Sequence, residues 1–549
     1  MQNIVLQRFG VLMPLSSNLP PSDLPTAASR GRTGKWVVLA VLCATVLLVM
    51  IDNTIVNVAL PTIAVDLHAG TSGLQWVVDA YTLVFAGLLL GAGHAGDRFG
   101  RKRMLLLGVA GFAAMSAVAA SVTSLDALIA ARAGLGVAAS LIFPATLALI
   151  MDTFGGEDTR ARAHRAVAVG LWAAMAGVGV AIGPVVGGWL LEHYSWASVF
   201  WVTVPYGAVL LVAGAVLLPE SRGPSLPGRF DWAGLALSVA AVGTLVWTVI
   251  EGPHHGWASP ASLAGFAVAA ALTVAFVARE LRAAHPVLDM TLFYNRRFTV
   301  GALVIAVAFF SLFGFIFMVT QYFQLVRGYG TLSAGLHTLP FAVVMAVFSP
   351  LAMHAGKRLP AHLVITAGML TMAAGFGLVT VTGVDTSYWR VVIVSMSLMA
   401  AGLALVQGPA TEIIMTTLPM DRAGSGSAVN DTTREIGGTL GVAVLGSVMA
   451  TVFASHVASG LAALPLPAPL KDAAATSVAA GAQVARTAPG TVGLQVEAVV
   501  RSAFVAAMHQ ATLVAVGACL VGAVLAMLAL GVRPALPRAR QPERDTVTV

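Results

Sequence analysis

Gly93-His94-Ala95-Gly96-Asp97-Arg98-Phe99-Gly100-Arg101-Lys102-Arg103 packs five ionised side chains between two long apolar runs. Roughly twenty apolar residues on each side suffice, at ~1.5 Å rise per residue, to cross a hydrocarbon layer of ~30 Å. The charges therefore mark a membrane face, and the segment is a short solvated hairpin. Four of the five are Arg or Lys, which turns that face toward the cytoplasm. A hairpin needs some cations for orientation alone, so charge by itself does not separate an orientation signal from a functional loop.

The rest of the chain has the same character. Its 549 residues are 58% hydrophobic and only 10% charged, with a mean hydropathy of +0.87, far from the composition of a soluble domain. Apolar runs of spanning length occur at about 36–59, 73–95, 104–123, 125–150, 166–190, 197–218, 232–250, 260–278, 298–322, 332–354, 361–382, 391–411, 436–453 and 507–531, fourteen in all. An even number places both termini on one side. Of the 31 Lys and Arg residues, 25 fall on the termini's side of this map, so both termini are expected in the cytoplasm of a multi-pass plasma (inner) membrane protein. The net charge of +7 then needs no nucleic-acid partner, because an orientation signal and an anionic inner leaflet account for it. Cys43 and Cys519 both lie inside spans and suggest packing, not a disulfide or metal framework.

Two charged linkers divide the spans. The expected organisation is a basic tail over 1–35, a six-span bundle over 36–218, an inserted two-span hairpin over 232–278, a second six-span bundle over 298–531 and a cytoplasmic tail over 532–549. Gly356-Lys357-Arg358-Leu359 after span 10 is a faint echo of the loop after span 2, as expected of an internal repeat. One connection is long: 454–506, on the outer side, is rich in Ala, Pro and Gly, and either forms a low-complexity tether or, over Val492–Met508, an amphipathic helix at the membrane interface. The fold class is an all-α polytopic membrane protein.

No enzymatic motif stands out. The chain has no GxxxxGK[ST] phosphate loop, and His254-His255 have no Cys or carboxylate at zinc-site spacing, so no metal and no cofactor is expected. Gly424-Ser425-Gly426-Ser427 follows no strand and is not a nucleophile elbow.

The informative residues are the charges a bilayer excludes. A charge at the centre of a span costs ~2.5–3.5 kcal/mol even on lenient scales, so it faces a cavity or a partner. Asp52 in span 1, Asp79 in span 2 and Arg132 in span 4 each lie about seven positions from the outer end of their span, a common depth of ~10 Å at ~1.5 Å per residue. A cluster of one cation between two carboxylates is expected. Arg132 could simply neutralise one acid so that the spans pack, but it cannot neutralise both, and a carboxylate left over can take and release a proton.

Span 5 carries Gly179-x-x-x-Gly183-Pro184-x-x-Gly187-Gly188. Glycines four residues apart leave a flat helix face for close approach of another backbone, and Pro184 removes a donor and bends the helix. Ordinary helix packing explains this as well as a coupling role does. Span 13 carries a related face, Gly437-Gly438-x-x-Gly441, after Asn430-Asp431-x-x-Arg434-Glu435, which reads as an ion-pair cluster at the cytoplasmic end or as a second coupling site.

Several of these stretches carry a family resemblance. Gly93, Gly96, Asp97, Arg98, Gly100, Arg101 and Lys102 stand as in the loop between spans 2 and 3 of the major facilitator superfamily. Ile51-Asp52-Asn53-Thr54-Ile55-Val56-Asn57-Val58-Ala59-Leu60-Pro61 and Gln75-Trp76-Val77-Val78-Asp79-Ala80-Tyr81 resemble the span 1 and span 2 signatures of its fourteen-span drug/proton antiporters, and the span 1 match makes Asp52 the expected proton carrier, with Asp79 setting its affinity. Arg132 with Gly136 is similar to the span 4 motif, with Leu135 in place of its usual Gln; the span 5 glycines resemble the antiporter motif, with Met175 at its first glycine. The resemblance implies two six-helix bundles around a central cavity, rocking between inward- and outward-facing states, with the 93–103 loop as a cytoplasmic gate joining the bundles. It implies a proton-coupled exporter of amphipathic organic compounds, driven by the proton gradient without a cofactor, whose partners are its small-molecule substrate, protons and the lipid bilayer, and which acts as a monomer. A carrier dedicated to an endogenous secondary metabolite or siderophore, and a non-transporting receptor or scaffold, remain as alternatives.

Overall fold

Without water in the hydrocarbon layer every backbone N–H and C=O must find its partner within the chain, and a helix meets that demand one segment at a time. The computed structural model describes residues 32–156, 159–222, 230–417 and 423–530. Among these there is no strand, and fourteen helical spans are long and apolar enough to cross a membrane. They are span 1 (Gly34–Asp66), 2 (Thr71–Phe99), 3 (Arg101–Ala119), 4 (Leu125–Thr153), 5 (Thr159–His193), 6 (Ser198–Leu217), 7 (Trp232–His255), 8 (Pro260–Glu280), 9 (Arg296–Val326), 10 (Thr331–Gly356), 11 (Ala361–Val379), 12 (Tyr388–Thr416), 13 (Val429–Leu461) and 14 (Thr491–Leu530). The tails expected over 1–35 and 532–549 lie, up to residue 31 and from 531, outside the described residues.

Local chemistry sets the ends. Ser124 and Ser259 accept hydrogen bonds from Ala127 N and Ser262 N at the starts of spans 4 and 8. Between spans 2 and 3 the chain reverses on one residue, Gly100, whose φ of 114° lies where an L side chain is strained. A Cβ there would also stand 2.7 Å from Glu220 Oε1.

Packing repeats between the halves. In the first bundle span 1 lies on span 5, span 2 on span 4, and span 3 on spans 4 and 6; in the second, span 9 lies on span 13, span 10 on span 12, and span 11 on spans 12 and 14. Each pair in one half thus has its counterpart eight spans later. The bundles meet along two seams, span 2 against span 13 and span 5 against span 10. Spans 7 and 8 pair with each other, and span 7 packs on both spans 2 and 13.

The 454–506 connection is neither a tether nor an interfacial helix. It folds into two short helices, Ala468–Thr476 and Val478–Thr487, and the stretch over Val492–Met508 is the first half of span 14, with Val496, Val500, Ala503 and Phe504 buried. Its apolar face is covered by protein: a Cβ at Gly481 would meet Val500, and one at Gly460 would meet Val499.

Glycine sets how closely the spans approach. A Cβ at Gly402 in span 12 would lie 2.6 Å from the Gly368 carbonyl of span 11 and 2.7 Å from Met372 N. Gly402→Leu is expected to lower stability by ~1–3 kcal/mol through overpacking. A thermal melt of the detergent-solubilised protein, followed by near-ultraviolet circular dichroism, reads this directly.

Candidate functional site

Asp52 and Arg132 meet at the centre of the first bundle. Arg132 Nη1 donates to Asp52 Oδ2 at 2.6 Å, and Arg132 Nε donates to the Val77 carbonyl at 2.9 Å. The Tyr81 ring covers the guanidinium at 4.4 Å from its Cζ, and all three side chains are fully buried. Spans 1, 2 and 4 are thereby tied at one point. Gly136 makes this possible, because a Cβ there would press to 2.5 Å from the Tyr81 carbonyl and hold span 4 away from span 2. Asp52 Oδ1, Arg132 Nη2 and the Tyr81 hydroxyl are buried without hydrogen-bond partners.

Asp79 is not part of that cluster, contrary to the three-charge arrangement expected from depth. Val77 and Tyr81, one turn apart, face Arg132; Asp79, two residues from each, projects at ~200° from them around the helix. Equal depth was right, but azimuth separates the acids. Asp79 is fully buried, with the Thr82 hydroxyl at 3.5 Å as its hydrogen-bond neighbour and Oδ2 without one. Thr82 in turn accepts from Thr439 of span 13 at 3.0 Å, so Asp79 sits beside the contact between the two bundles.

That contact is confined to one side of the membrane. Gln75 Nε2 reaches Val442 O at 3.0 Å, Ala443 O at 2.8 Å and Ser447 Oγ at 3.3 Å. Thr320 donates to Asn57 O at 2.9 Å, Gln324 to Val58 O at 2.9 Å, and Thr331 to Gly188 O at 2.8 Å. The loop helices add Thr71 to Thr476 O at 3.2 Å. Every described hydrogen bond between bundles lies at or beyond the level of Thr82–Thr439, on the face opposite the termini. Among the described residues the bundles are hydrogen-bonded at the far face and not at the termini's face. Between the bundles lies a pocket lined by Thr54, Asn57, Val180, Pro184, Phe315 and Phe341. Gln75, Thr320 and Gln324 were not singled out from the sequence for this role; the available signal was a neutral amide or hydroxyl inside an apolar span.

The remaining expected residues divide by contact. A Cβ at Gly179, Gly183 or Gly187 would collide with Met50, Thr54 or Ile55 of span 1, so these glycines seat span 5 within its own bundle. Gly188 alone faces the other half, where a Cβ would lie 2.5 Å from Thr331 O, and Pro184 O occupies the space beside Gly335. Among the described residues the 93–103 loop makes no bond to the second bundle, contrary to the joining role expected of it. Its bonds stay in the first bundle: Arg101 pairs with Asp97 at 2.7 Å and Asp152 at 2.5 Å, and Glu220 accepts from Lys102 N at 3.1 Å. Gly93 packs near Pro144, and Arg98 lies over the Phe99 ring.

In the second half Asp431 receives Asn430 Nδ2 at 3.3 Å and Arg434 Nη1 at 3.7 Å, while Arg434 Cζ lies 4.5 Å from the centre of the Phe309 ring. Thr411 of span 12 donates to Asn430 Oδ1 at 3.1 Å. Glu435 Oε2 is buried without a partner, one turn from Thr439. The cluster thus joins spans 9, 12 and 13. Among the described residues no group of three or more His, Cys, Asp or Glu side chains could hold a metal ion.

Two outcomes are expected from this geometry. Arg132→Ala strands Asp52 in the core and is expected to destabilise by ~3–5 kcal/mol, with Asp52→Asn in the same chain restoring part of the loss; a double-mutant cycle on melting midpoints measures the coupling, and strict additivity would show that the pair does not act as a unit. Gly188→Leu should hold the far face apart, so a cysteine placed at Asn57 would label from that face with a membrane-impermeant maleimide, whereas Gly183→Leu should lower stability without that labelling.

A family model described as the Major Facilitator Superfamily matches residues 42–442. Multidrug efflux pump LfrA of Mycolicibacterium smegmatis is 39% identical over 482 residues, covering 87% of this chain and 93% of that protein. The tetracenomycin C resistance and export protein of Streptomyces glaucescens is 35% identical over 95% of this chain and 96% of its own length. Among solved structures, a bacterial homolog of the human lysosomal transporter Spinster, inward-facing and unoccupied, superposes with a TM-score of 0.64 at 19% identity, over 91% of this chain and 98% of that one.

Proposed function

The chain belongs to the major facilitator superfamily, and from that membership we propose that it is a proton-coupled antiporter that exports amphipathic organic compounds across the plasma membrane by alternating access. The termini's face is the cytoplasmic one in this reading, as the cation bias requires, so the structure is the inward-facing state. The drug-export names of LfrA and of the tetracenomycin C protein support the direction of transport. The protein works as a monomer and draws on the proton gradient, with no cofactor.

The observation that carries proton coupling is the position of Asp79. Burying an ionised carboxylate with one distant hydroxyl neighbour costs several kcal/mol, whereas a protonated carboxyl is a far smaller penalty. Asp79 lies beside the seam that closes the far face, so closing that seam requires a proton on Asp79. In the outward-facing state the seam opens and Asp79 meets water on the proton-rich side. Protonation then favours closure, and loss of the proton to the cytoplasm, linked to substrate entry, favours reopening. Asp52, paired with Arg132, serves instead to keep the first bundle in register while this happens.

The tetracenomycin C relative also supports a narrower reading, export of one dedicated metabolite in place of many drugs. A substrate panel separates the two.

Everted membrane vesicles loaded with a pH-sensitive dye test the coupling. Asp79→Asn is expected to reduce gradient-driven accumulation of substrate at least ~10-fold while leaving downhill substrate exchange, because the amide can be buried but cannot titrate. Retention of substrate-induced proton movement at the unaltered rate would remove Asp79 from the mechanism.

A further inference from the structure

At the termini's face the two halves of the chain correspond residue by residue. Span 2 begins at Thr71 and span 10 at Thr331, while span 3 runs over Arg101–Ala119 and span 11 over Ala361–Val379, so a shift of 260 positions carries the first pair onto the second without a gap. Under that shift Gly96 becomes Gly356, Gly100 becomes Pro360 and Asp152 becomes Glu412, whereas Asp97 becomes Lys357 and Arg101 becomes Ala361. The second bundle has the acid near the end of span 12 and lacks the arginine that would meet it.

In the first half Arg101 fills the space between the loop and span 4. It bonds Asp97 at 2.7 Å and Asp152 at 2.5 Å, and its backbone N–H donates to Ser221 O at 2.9 Å, so the chain that follows span 6 lies across the loop. In the second half a cavity of about 270 Å³ stands at the corresponding place, with Arg297, Ala361, His362, Glu412, Thr416 and Leu530 in its lining. That is several times the ~30 Å³ a water molecule takes in the liquid, room enough for a side chain. Among the described residues no hydrogen bond or ion pair reaches the Glu412 carboxylate; the Thr416 hydroxyl donates to its backbone carbonyl instead, at 2.7 Å. Arg297 lines the same cavity from span 9 without pairing with it. Leu530 ends span 14 at this cavity, and the sequence continues from it with Gly531-Val532-Arg533-Pro534. Three residues extend ~10 Å at ~3.3–3.6 Å each, which brings Arg533 within reach of a cavity that Leu530 already lines. Residues 531–549 carry Arg533, Arg538, Arg540 and Arg544 against Glu543 and Asp545, an excess of cations that suits an unpaired carboxylate.

We propose that the chain following span 14 returns over the loop between spans 10 and 11 and that Arg533 enters this cavity to pair with Glu412, so that the C-terminal segment supplies in the second bundle the cation that Arg101 supplies in the first. The placement mirrors the first half, where the chain after span 6 crosses the loop at Arg101 and Ser221. Its role is mechanical. Arg101 ties the end of span 4 to the start of span 3, and Arg533 ties the end of span 12 to the end of span 14 beside the start of span 11. The second bundle is thereby held as one body at the termini's face, whatever the molecule it carries.

The test reads melting midpoints of the detergent-solubilised full chain and its variants. Truncation after Leu530, Arg533→Gln and Glu412→Gln are each expected to lower the midpoint by the same ~2–4 °C, the shift expected of one partly exposed ion pair in a bundle of this size. Combining Glu412→Gln with the truncation should lower it no further, because both remove one interaction. Ala361→Arg, which restores the first-half residue at the shifted position, should return the truncated chain to the midpoint of the full one. Truncation without effect, or losses that add, would overturn the proposal. So would a loss reproduced by Lys357→Gln and not by truncation, which would give Glu412 to Lys357. A second arm does not depend on how the Ala361→Arg chain folds. On a background with Cys43→Ser and Cys519→Ser, the pair Ala361→Cys and Val532→Cys keeps both charges and should be joined within one chain by a short bis-maleimide, with Glu412→Gln slowing the joining about 10-fold. Joining between two chains, or at a rate indifferent to Glu412, would place the segment elsewhere and overturn the proposal.

Discussion

A guanidinium and a carboxylate, both fully buried, hold the first bundle in register. The Arg132–Asp52 bond takes two charges out of water at a cost that only close geometry and additional hydrogen bonds can offset, and the structure supplies them through the Val77 carbonyl and the Tyr81 ring. Because the three partners come from spans 1, 2 and 4, no one of these helices can slide without breaking a buried charge contact. Span 2 is thereby fixed in rotation, which places Gln75, Asp79 and Thr82 on the side facing span 13. The seam between the halves follows from that orientation.

The contacts within and between bundles differ in kind. Inside a bundle the helices meet through glycine faces at backbone distance, as at Gly402–Gly368 and Gly179–Met50, and such close packing leaves no room for an added side chain. Between bundles the far face is held mostly by side chains donating to backbone carbonyls: Gln75, Thr320, Gln324 and Thr331. Each such bond is worth ~0.5–1.5 kcal/mol net, and the groups released can be hydrated when that face opens to water. Rigid bodies joined by exchangeable contacts are what a rocking transporter needs.

The inserted pair explains itself in the same terms. Span 7 contacts the first bundle at both ends, through Phe230–His94 and Trp76–Glu251, and its described hydrogen bond to the second bundle, Ser447 to Val249 O, lies toward the far face. It adds nothing to the fold of either bundle, whose pairings repeat without it. Its effect is to break the symmetry between the two seams.

The fourteen spans and the burial of Asp52, Asp79 and Arg132 were legible in the sequence, because hydrocarbon thickness sets the length of each span and the cost of a charge within a span makes it conspicuous. Depth was legible too, since helix rise is constant. Direction around each helix was not. Buried spans are apolar on all sides, so no stripe of periodicity showed that Val77 and Tyr81 face Arg132 while Asp79 faces span 13. For the same reason the span 5 glycines read as one motif, although three of them seat span 5 on span 1 and only Gly188 meets the other bundle. The long loop deceived by composition: its Ala-rich segments are helices buried against the protein, and Val492–Met508 presents its apolar face to neighbouring helices, not to lipid. Which face is closed depends on contacts between residues hundreds of positions apart, such as Gln75 with Ala443, and only the tertiary structure brings those together.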